Sequence, residues 1–337
     1  MRNRPLIGVT IGDPAGVGPE IVASALGDES LHDIARLVVI GSDSVMRKAL
    51  ELVGAGLRVH AIEHPAQGVY SAGTLDLIDL GNVDFDSIVP GVAQPLAGRA
   101  AFQYVERAIE LAMAGAIDAF ATAPINKEAL KAGGVPHIDH TEMLARLTNS
   151  PHPMTMFALD RMRIFFLTRH VSLAEACRQI TAELVLQGLR RVDQELRRLD
   201  MARPRIAVAA LNPHGGEGGL FGNEEVQQIA PAVAAARRLG MDVSGPVPAD
   251  SVFFLNRQGK FDAVLSLYHD QGHIAAKTVD FERTVSVTLG IPFLRTSVDH
   301  GTAFDIAWKG LASAVGMKES IRVAAAYAPI FRRASSA

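Results

Sequence analysis

Three stretches rich in β-branched and aliphatic residues each run into a histidine. They are residues 163–170, ending Leu167-Thr168-Arg169-His170; residues 204–214, ending Leu211-Asn212-Pro213-His214; and residues 261–269, ending Leu267-Tyr268-His269. In an α/β sheet, side chains at the carboxyl ends of strands converge on one edge, where ligands bind. Neutral imidazoles delivered there can bind a divalent metal, and three of them leave coordination positions open to a substrate. One such histidine would mean little. Three placed alike point to a metal-assisted active site.

Other segments could add to that chemistry. Gly12-Asp13-Pro14-Ala15-Gly16-Val17-Gly18-Pro19-Glu20 lies between a strand and a helix, and its glycines permit a tight turn or a close ligand. Its spacing fits neither the dinucleotide fingerprint nor the P-loop. In His137-Ile138-Asp139-His140-Thr141-Glu142, Thr141 can cap a helix whose N-terminus favours an anion; the plain alternative is a polar loop. The glycine density from Gly215 to Gly222 costs conformational entropy and marks a ligand approach or a moving loop. His269 and His273 stand four apart and share a face if a helix begins there, without the glutamate of a metalloprotease motif. Lys277 and Arg295 are the nearest cations. Arginine grips phosphate or carboxylate bidentately, yet either residue taken singly reads as a solvated surface group. Residues 297–307 read as a polar turn leading into a helix, with Asp305 in the first turn and capping as its default role.

The elements that must position these residues alternate short apolar runs with helical spacings, the pattern of α/β layers. Strands are expected at 6–11, 37–40, 119–123 and 285–289. Helices are expected from Pro19, from Ser42 to Gly54, over 99–114 with Gly115 closing, from the Ser172/Glu175 capping box, from Thr181 to about Leu199, from Asn223 to Gly240, after His300, and around 320–327. No repeat or low-complexity tether divides the chain, so any domain boundary is made by crossovers.

Composition narrows the class. The 337 residues, 48% hydrophobic and 20% charged, suit two globular domains or one large one. A net charge of −3 carries no footprint for nucleic acid or an anionic membrane. The lone Cys177 forms no intrachain disulfide and fits a reducing compartment, with inert packing as its role. Met1-Arg2-Asn3-Arg4 before an apolar run superficially resembles a leader, but Gly12-Asp13-Pro14 breaks that run, and a first strand is expected. No segment has the length and apolarity of a membrane span, so a cytoplasmic protein is expected.

Taken together, Gly12 to Glu20, His140-Thr141-Glu142, Leu211-Asn212-Pro213-His214, Tyr268-His269-Asp270-Gln271-Gly272-His273 and Arg295-Thr296-Ser297-Val298-Asp299-His300-Gly301-Thr302 resemble the 4-hydroxythreonine-4-phosphate dehydrogenase family of pyridoxal phosphate biosynthesis. These pieces span the chain nearly end to end in the expected order. The resemblance implies the α/β fold of the isocitrate and isopropylmalate dehydrogenase group rather than a Rossmann domain. Two α/β domains would flank a cleft: an outer one, 1–125 and 285–337, on the NAD side, and a central one, 126–284, carrying the metal site and the dimer contact.

By matching position, the resemblance makes His170, His214 and His269 the metal ligands, for one Zn, Mg or Co ion per site. It places His140, Thr141, Lys277, Ser286 and Arg295 on the phosphorylated substrate, and Gly12, Asp13, His300, Gly301 and Asp305 at NAD (or NADP). Lys277 and Asp250 are the alternatives for proton transfer. Ser286 stands where the family pattern has asparagine; it still hydrogen-bonds, but with shorter reach and without the paired amide groups. The implied reaction oxidises 4-phosphohydroxy-L-threonine with NAD to a β-keto acid, which decarboxylates to 3-amino-2-oxopropyl phosphate. Gly219-Leu220-Phe221-Gly222 and Pro124-Ile125-Asn126-Lys127 look more like paralogues acting on threonate or erythronate 4-phosphate. A homodimer with a shared site is implied, so the three histidines need not come from one subunit. Two rival classes remain: a metal-dependent hydrolase or aldolase without NAD, and a non-catalytic binding module. A relative that oxidises aromatic cis-dihydrodiol carboxylates is disfavoured by His140-Thr141 and Arg295 as phosphate grips.

Overall fold

The structure is a computed structural model that describes residues 4–137 and 139–335. Met1-Arg2-Asn3, the head of the leader-like stretch, lie outside the described residues. In chain order, β1 (Leu6–Thr10), α1 (Gly18–Leu26), α2 (Glu29–Ile34), β2 (Arg36–Gly41), α3 (Asp43–Val53), β3 (Arg58–Ile62), β4 (Thr74–Asp79), α4 (Pro95–Met113), β5 (Ala119–Thr122), α5 (Lys127–Ala132) and α6 (His140–Leu147) come first. Next are β6 (Met154–Leu159), β7 (Met162–Phe166), α7 (Leu173–Gln179), α8 (Ala182–Arg198), β8 (Arg205–Ala209), α9 (Ala230–Arg238), β9 (Asp242–Val247), α10 (Ala249–Arg257), β10 (Ala263–Ser266) and α11 (His269–Val279). The chain closes with β11 (Val285–Leu289), β12 (Leu294–Val298) and α12 (Val315–Ser335).

Packing divides the chain into two compact units, one built from the residues up to Pro153 and Val285–Arg333, the other from Met154–Thr284. Residues 126–153, read from the sequence as central, lie with the first unit because α5 and α6 pack on α4.

In the first unit the strand order is β3-β4-β2-β1-β5-β12-β11, parallel except where β11 runs antiparallel to β12. β1 and β5 are buried at every residue, as parallel strands covered on both faces are. The carboxyl ends of β1, β5 and β12 share one edge, which sets the loops after Thr10, Thr122 and Val298 side by side. The second unit has the order β6-β7-β10-β8-β9, with β6 antiparallel to β7 and the rest parallel. Phe157, Ile164, Phe166, Val252, Phe253, Phe261 and Val264 form its core on one face of the sheet. The neighbours β7, β10 and β8 are the three histidine-ended strands.

Local chemistry explains most boundaries. Ser172 Oγ accepts from the Glu175 N–H and Thr181 Oγ1 from the Leu184 N–H, each as an N-cap. Gly54, left-handed at φ 66°, ends α3. Ser42 precedes α3 but donates to the Val83 carbonyl at 2.6 Å and does not cap it. The helix from Asn223 opens with a five-residue π turn, Glu225–Ile229, before α9.

Three expectations are corrected. No helix follows His300: residues 304–310 are successive turns, and Ala303 (φ 41°) and Trp308 (φ 60°) hold left-handed conformations that an α-helix does not accept. The cap of α6 is Asp139, whose Oδ1 accepts from the Glu142 N–H at 3.0 Å, so Thr141 lies inside the helix. Arg295 is not a surface group; it lies within β12 and is 4% exposed. Among the described residues no helix is long and apolar enough to cross a membrane.

Candidate active site

The second unit carries the proposed metal donors. His170 follows β7 and His269 opens α11 directly after β10, so two neighbouring parallel strands deliver two imidazoles, with ring centroids 6.1 Å apart. A concavity of about 360 Å³ lies beside them, lined by Thr168, Arg169, Leu173, Tyr268 and Asp270 among others. His269 Nδ1 is 2.6 Å from Asp270 Oδ1, leaving Nε2 as its available nitrogen. A carboxylate behind an imidazole is the arrangement that fixes the tautomer of a ligand histidine. His273 stacks on His269, centroids 3.6 Å apart and planes at 13°, and is itself packed on Phe157 and Phe166. His269, His273 and Lys277 thus recur every fourth residue along one side of α11, with Lys277 Nζ 4.8 Å from the Phe281 ring centroid. Asp250 is exposed in the first turn of α10.

His214 does not join them in a three-donor group. It follows β8 in the loop before the π turn, with Phe221 as ring neighbour at 6.2 Å. Among the described residues no three His, Cys, Asp or Glu side chains assemble as a metal group within one chain. Two imidazoles with a carboxylate behind one of them fit a divalent ion in donor type; the third donor has to come from outside the pair.

In the first unit, β5, β12 and β11 build a polar patch on one sheet face. Register pairs Ser297 with Thr122 and with Ser286, and Arg295 with Thr288, so these side chains point the same way. Arg295 donates from Nε (3.1 Å) and Nη2 (2.5 Å) to Thr122 Oγ1 and from Nη1 (3.2 Å) to Thr288 Oγ1. Its hydrogen-bond partners here are hydroxyls, and burial pushes the guanidinium down to about 9 while Asp139 and Asp299 pull the other way. His140, at the start of α6, is held well below the usual imidazole range, first by burial and then by the charge of Arg295. A neutral ring results. Its Nε2 is buried without a hydrogen-bond partner, as is His137 Nδ1. A buried guanidinium bonded only to hydroxyls, an orphaned imidazole nitrogen and the N-terminal turn of α6 are what an oxyanion needs.

The loops expected at the nicotinamide cofactor are stitched along the same unit's sheet edge. The Asp13 N–H donates to the Pro124 carbonyl (2.9 Å) and the Val17 N–H to the Thr302 carbonyl (3.0 Å). The glycines of this loop answer to packing: a Cβ on Gly12 would stand 2.3 Å from the Pro124 oxygen, and one on Gly18 2.2 Å from the Ile11 oxygen. Asp13 is fully buried, with Oδ1 accepting from the Ala15 N–H and Oδ2 unpartnered, and burial raises its carboxyl to about 6. His300 is half-buried, with Nδ1 3.0 Å from the Gly301 carbonyl oxygen; Gly301 and Asp305 are exposed. Glu20 is the residue whose role the sequence did not reveal. Buried at 1% exposure, it accepts from the Trp308 and Gly310 N–H groups and pins the 304–310 turns. An acid in a first helical turn reads by default as a dipole partner, which hid this latch.

A family model described as pyridoxal phosphate biosynthetic protein PdxA matches residues 33–324. The chain belongs to that family. As a PdxA-family protein it is an oxidoreductase acting on CH–OH groups, with the α/β fold that the sequence predicted. Its relatives include a protein of Symbiobacterium thermophilum named “Putative D-threonate 4-phosphate dehydrogenase”, 58% identical over 333 residues and 99% of both chains. A Fusobacterium nucleatum protein of the same name is 54% identical over 329 residues, 98% of this chain and 99% of the relative. Among solved structures, a 4-hydroxythreonine-4-phosphate dehydrogenase from Klebsiella pneumoniae superposes with a TM-score of 0.90 at 43% identity, covering 96% of this chain and 98% of that one.

Proposed function

We propose that this PdxA-family chain oxidises the secondary alcohol β to the carboxylate of a phosphorylated four-carbon hydroxy acid, with D-threonate 4-phosphate favoured over 4-phosphohydroxy-L-threonine. NAD is the expected acceptor. The observation that carries the choice is the ordering of identities: the relatives named for threonate 4-phosphate are 58% and 54% identical over nearly the whole chain, against 44% and 43% for two solved structures named hydroxythreonine phosphate dehydrogenase. Ser286 supports it. One hydroxyl in place of a carboxamide suits a substrate with a hydroxyl where hydroxythreonine has its amine. A nicotinamide-linked reaction on such a compound fits the cytoplasm.

In this reading His170 and His269, with His214 of a second copy of the chain, hold one divalent ion, Zn, Mg or Co. Bound together, the ion and the nicotinamide supply Lewis acidity and a hydride acceptor, which no side chain offers. Arg295 and neutral His140 take the phosphate, and Thr141 adds a hydroxyl in the same helical turn. Gly12, Asp13, His300, Gly301 and Asp305 line the nicotinamide side. Lys277 or Asp250 moves the alcohol proton, whichever reaches hydrogen-bond distance of the hydroxyl. Loss of carbon dioxide from the β-keto acid completes the reaction. The homodimer is supported by the absence, among the described residues, of a three-donor metal group within one chain and by Leu220, Phe221 and Val226, apolar and exposed in the His214 segment.

The test is NAD reduction, followed by absorbance, with threonate, erythronate and hydroxythreonine 4-phosphates, each with and without chelator. The highest kcat/KM is expected with threonate 4-phosphate, and none should survive chelation. Equal or better use of the hydroxythreonine compound returns the chain to pyridoxal phosphate synthesis; turnover without NAD makes it a hydrolase or aldolase.

A further inference from the structure

The 212–229 segment combines two backbone irregularities that meet at one buried carboxylate. His214, Gly215, Gly216, Glu217 and Gly218 all have positive φ, at 54°, 69°, 77°, 45° and 67°. Two of the five are not glycine, and such conformations persist only where the surroundings over-determine them. Ten residues on from Gly215, the chain enters the π turn Glu225–Ile229, an insertion that moves the following side chains round the helix and that recurs at functional sites. The turn begins on Glu225, which is 2% exposed. Its Oε1 accepts from the Leu211 N–H (2.8 Å) and the Asn212 N–H (2.7 Å), and its Oε2 from Asn212 Nδ2 (2.9 Å). Oε2 also lies so close to the loop that a Cβ on Gly216 would come within 2.6 Å of it. Burial works against the charge, but the donors of Asn212 and Leu211 outweigh it, and the carboxyl stays below its ordinary range.

We infer that Glu225 is a positioning residue for His214: its buried carboxylate ties down the two backbone N–H groups that precede Pro213-His214 and fixes the left-handed run that aims the imidazole. The inference rests on the reading of His214 as a metal ligand. An exposed histidine in a glycine-rich loop would otherwise sample many directions, and each must be given up before it can donate to an ion. The carboxylate gives them up in advance. The adjacent strand end is tied in the same spirit, since Gln271 accepts from the Leu267 N–H (2.8 Å) and donates to the Ala210 carbonyl (2.7 Å), joining the ends of β10 and β8.

The experiment titrates cobalt(II) into the purified metal-free protein and follows its absorption bands for wild type, Glu225→Gln and His214→Ala, with melting curves and hydrogen exchange on each. In Glu225→Gln the amide meets the Asn212 donor with a second donor. Cobalt affinity should fall by roughly tenfold, the usual scale for a partner behind a ligand, exchange should accelerate over 211–219, and the melting temperature should hold. Wild-type affinity in Glu225→Gln beside lost affinity in His214→Ala overturns the positioning role alone. Wild-type affinity in His214→Ala removes the ligand reading beneath it, and the inference with it. Should Glu225→Gln not fold, Asn212→Ala strips the side-chain amide that donates to Glu225 Oε2 and to Glu224 Oε2 (2.7 Å), and its cobalt affinity should fall by about threefold or more; an unchanged value there also overturns the inference.

Discussion

Replacing Arg295 by methionine should make the ligand-free protein more stable while destroying its grip on phosphate. The guanidinium is 4% exposed and bonded to the hydroxyls of Thr122 and Thr288. Its displacement from the ordinary arginine range down to about 9 corresponds to on the order of 4 kcal/mol held against the folded state at neutral pH. Because the folded-state value is the lower one, that penalty is complete below pH 9 and fades only as pH rises above about 9. Methionine removes the penalty but forfeits the three hydroxyl contacts, at about 1 kcal/mol each. The net gain is about 1 kcal/mol, or a degree or a few in Tm. Calorimetry in phosphate-free buffer and again with inorganic phosphate gives the measurement. Wild type should melt lower than Arg295→Met without the anion and gain strongly with it; the variant should be indifferent. A variant that melts well below wild type in both buffers would show that Arg295 is satisfied by the protein alone, and the phosphate assignment would fall with that result.

Two further outcomes are expected. Asp13, raised to about 6 by burial, binds its proton more tightly folded than unfolded, so stability should fall as pH rises from about 4 to 6 by at most about 3 kcal/mol; urea unfolding of Asp13→Asn should lack this fall, and an identical pH profile would refute it. Gly18→Ala drives a methyl against the Ile11 carbonyl oxygen and should cost about 3 kcal/mol or more, read as a lower urea midpoint; a midpoint like that of wild type would mean the loop gives way.

Where sequence signals were local and strong, they carried through. The strands ending in His170 and His269 read clearly because β7 and β10 are short, apolar and buried, and Ser172 and Thr181 could each satisfy an orphan N–H of the helix that follows. β12 was not legible. Leu294-Arg295-Thr296-Ser297-Val298 carries three polar residues in a row, of which Arg295 and Ser297 face a protein-made polar patch and Thr296 bonds Ser320 on the other face, and nothing within five residues tells such a strand from a solvated loop. The helix expected after His300 failed for the opposite reason. Its composition is helical, but Glu20, far away in sequence, captures the Trp308 and Gly310 N–H groups and fixes a chain of turns. The direction in which His214 points was likewise beyond a reading of strand ends, because it depends on the five left-handed residues that begin at His214 itself.

The discontinuity of the first unit has a consequence for how the protein is made. β5 is paired on one side by β1 and on the other by β12, whose residues are translated only after the whole of the second unit. On the ribosome, β5 therefore waits with an open edge of unpaired N–H and C=O groups while Met154–Thr284, uninterrupted in sequence, has already been made. Truncation or stalling before Leu294 should leave a folded second unit attached to a first unit with a bare strand, the species most prone to pair with its neighbours on a polysome and the one for a chaperone to shield.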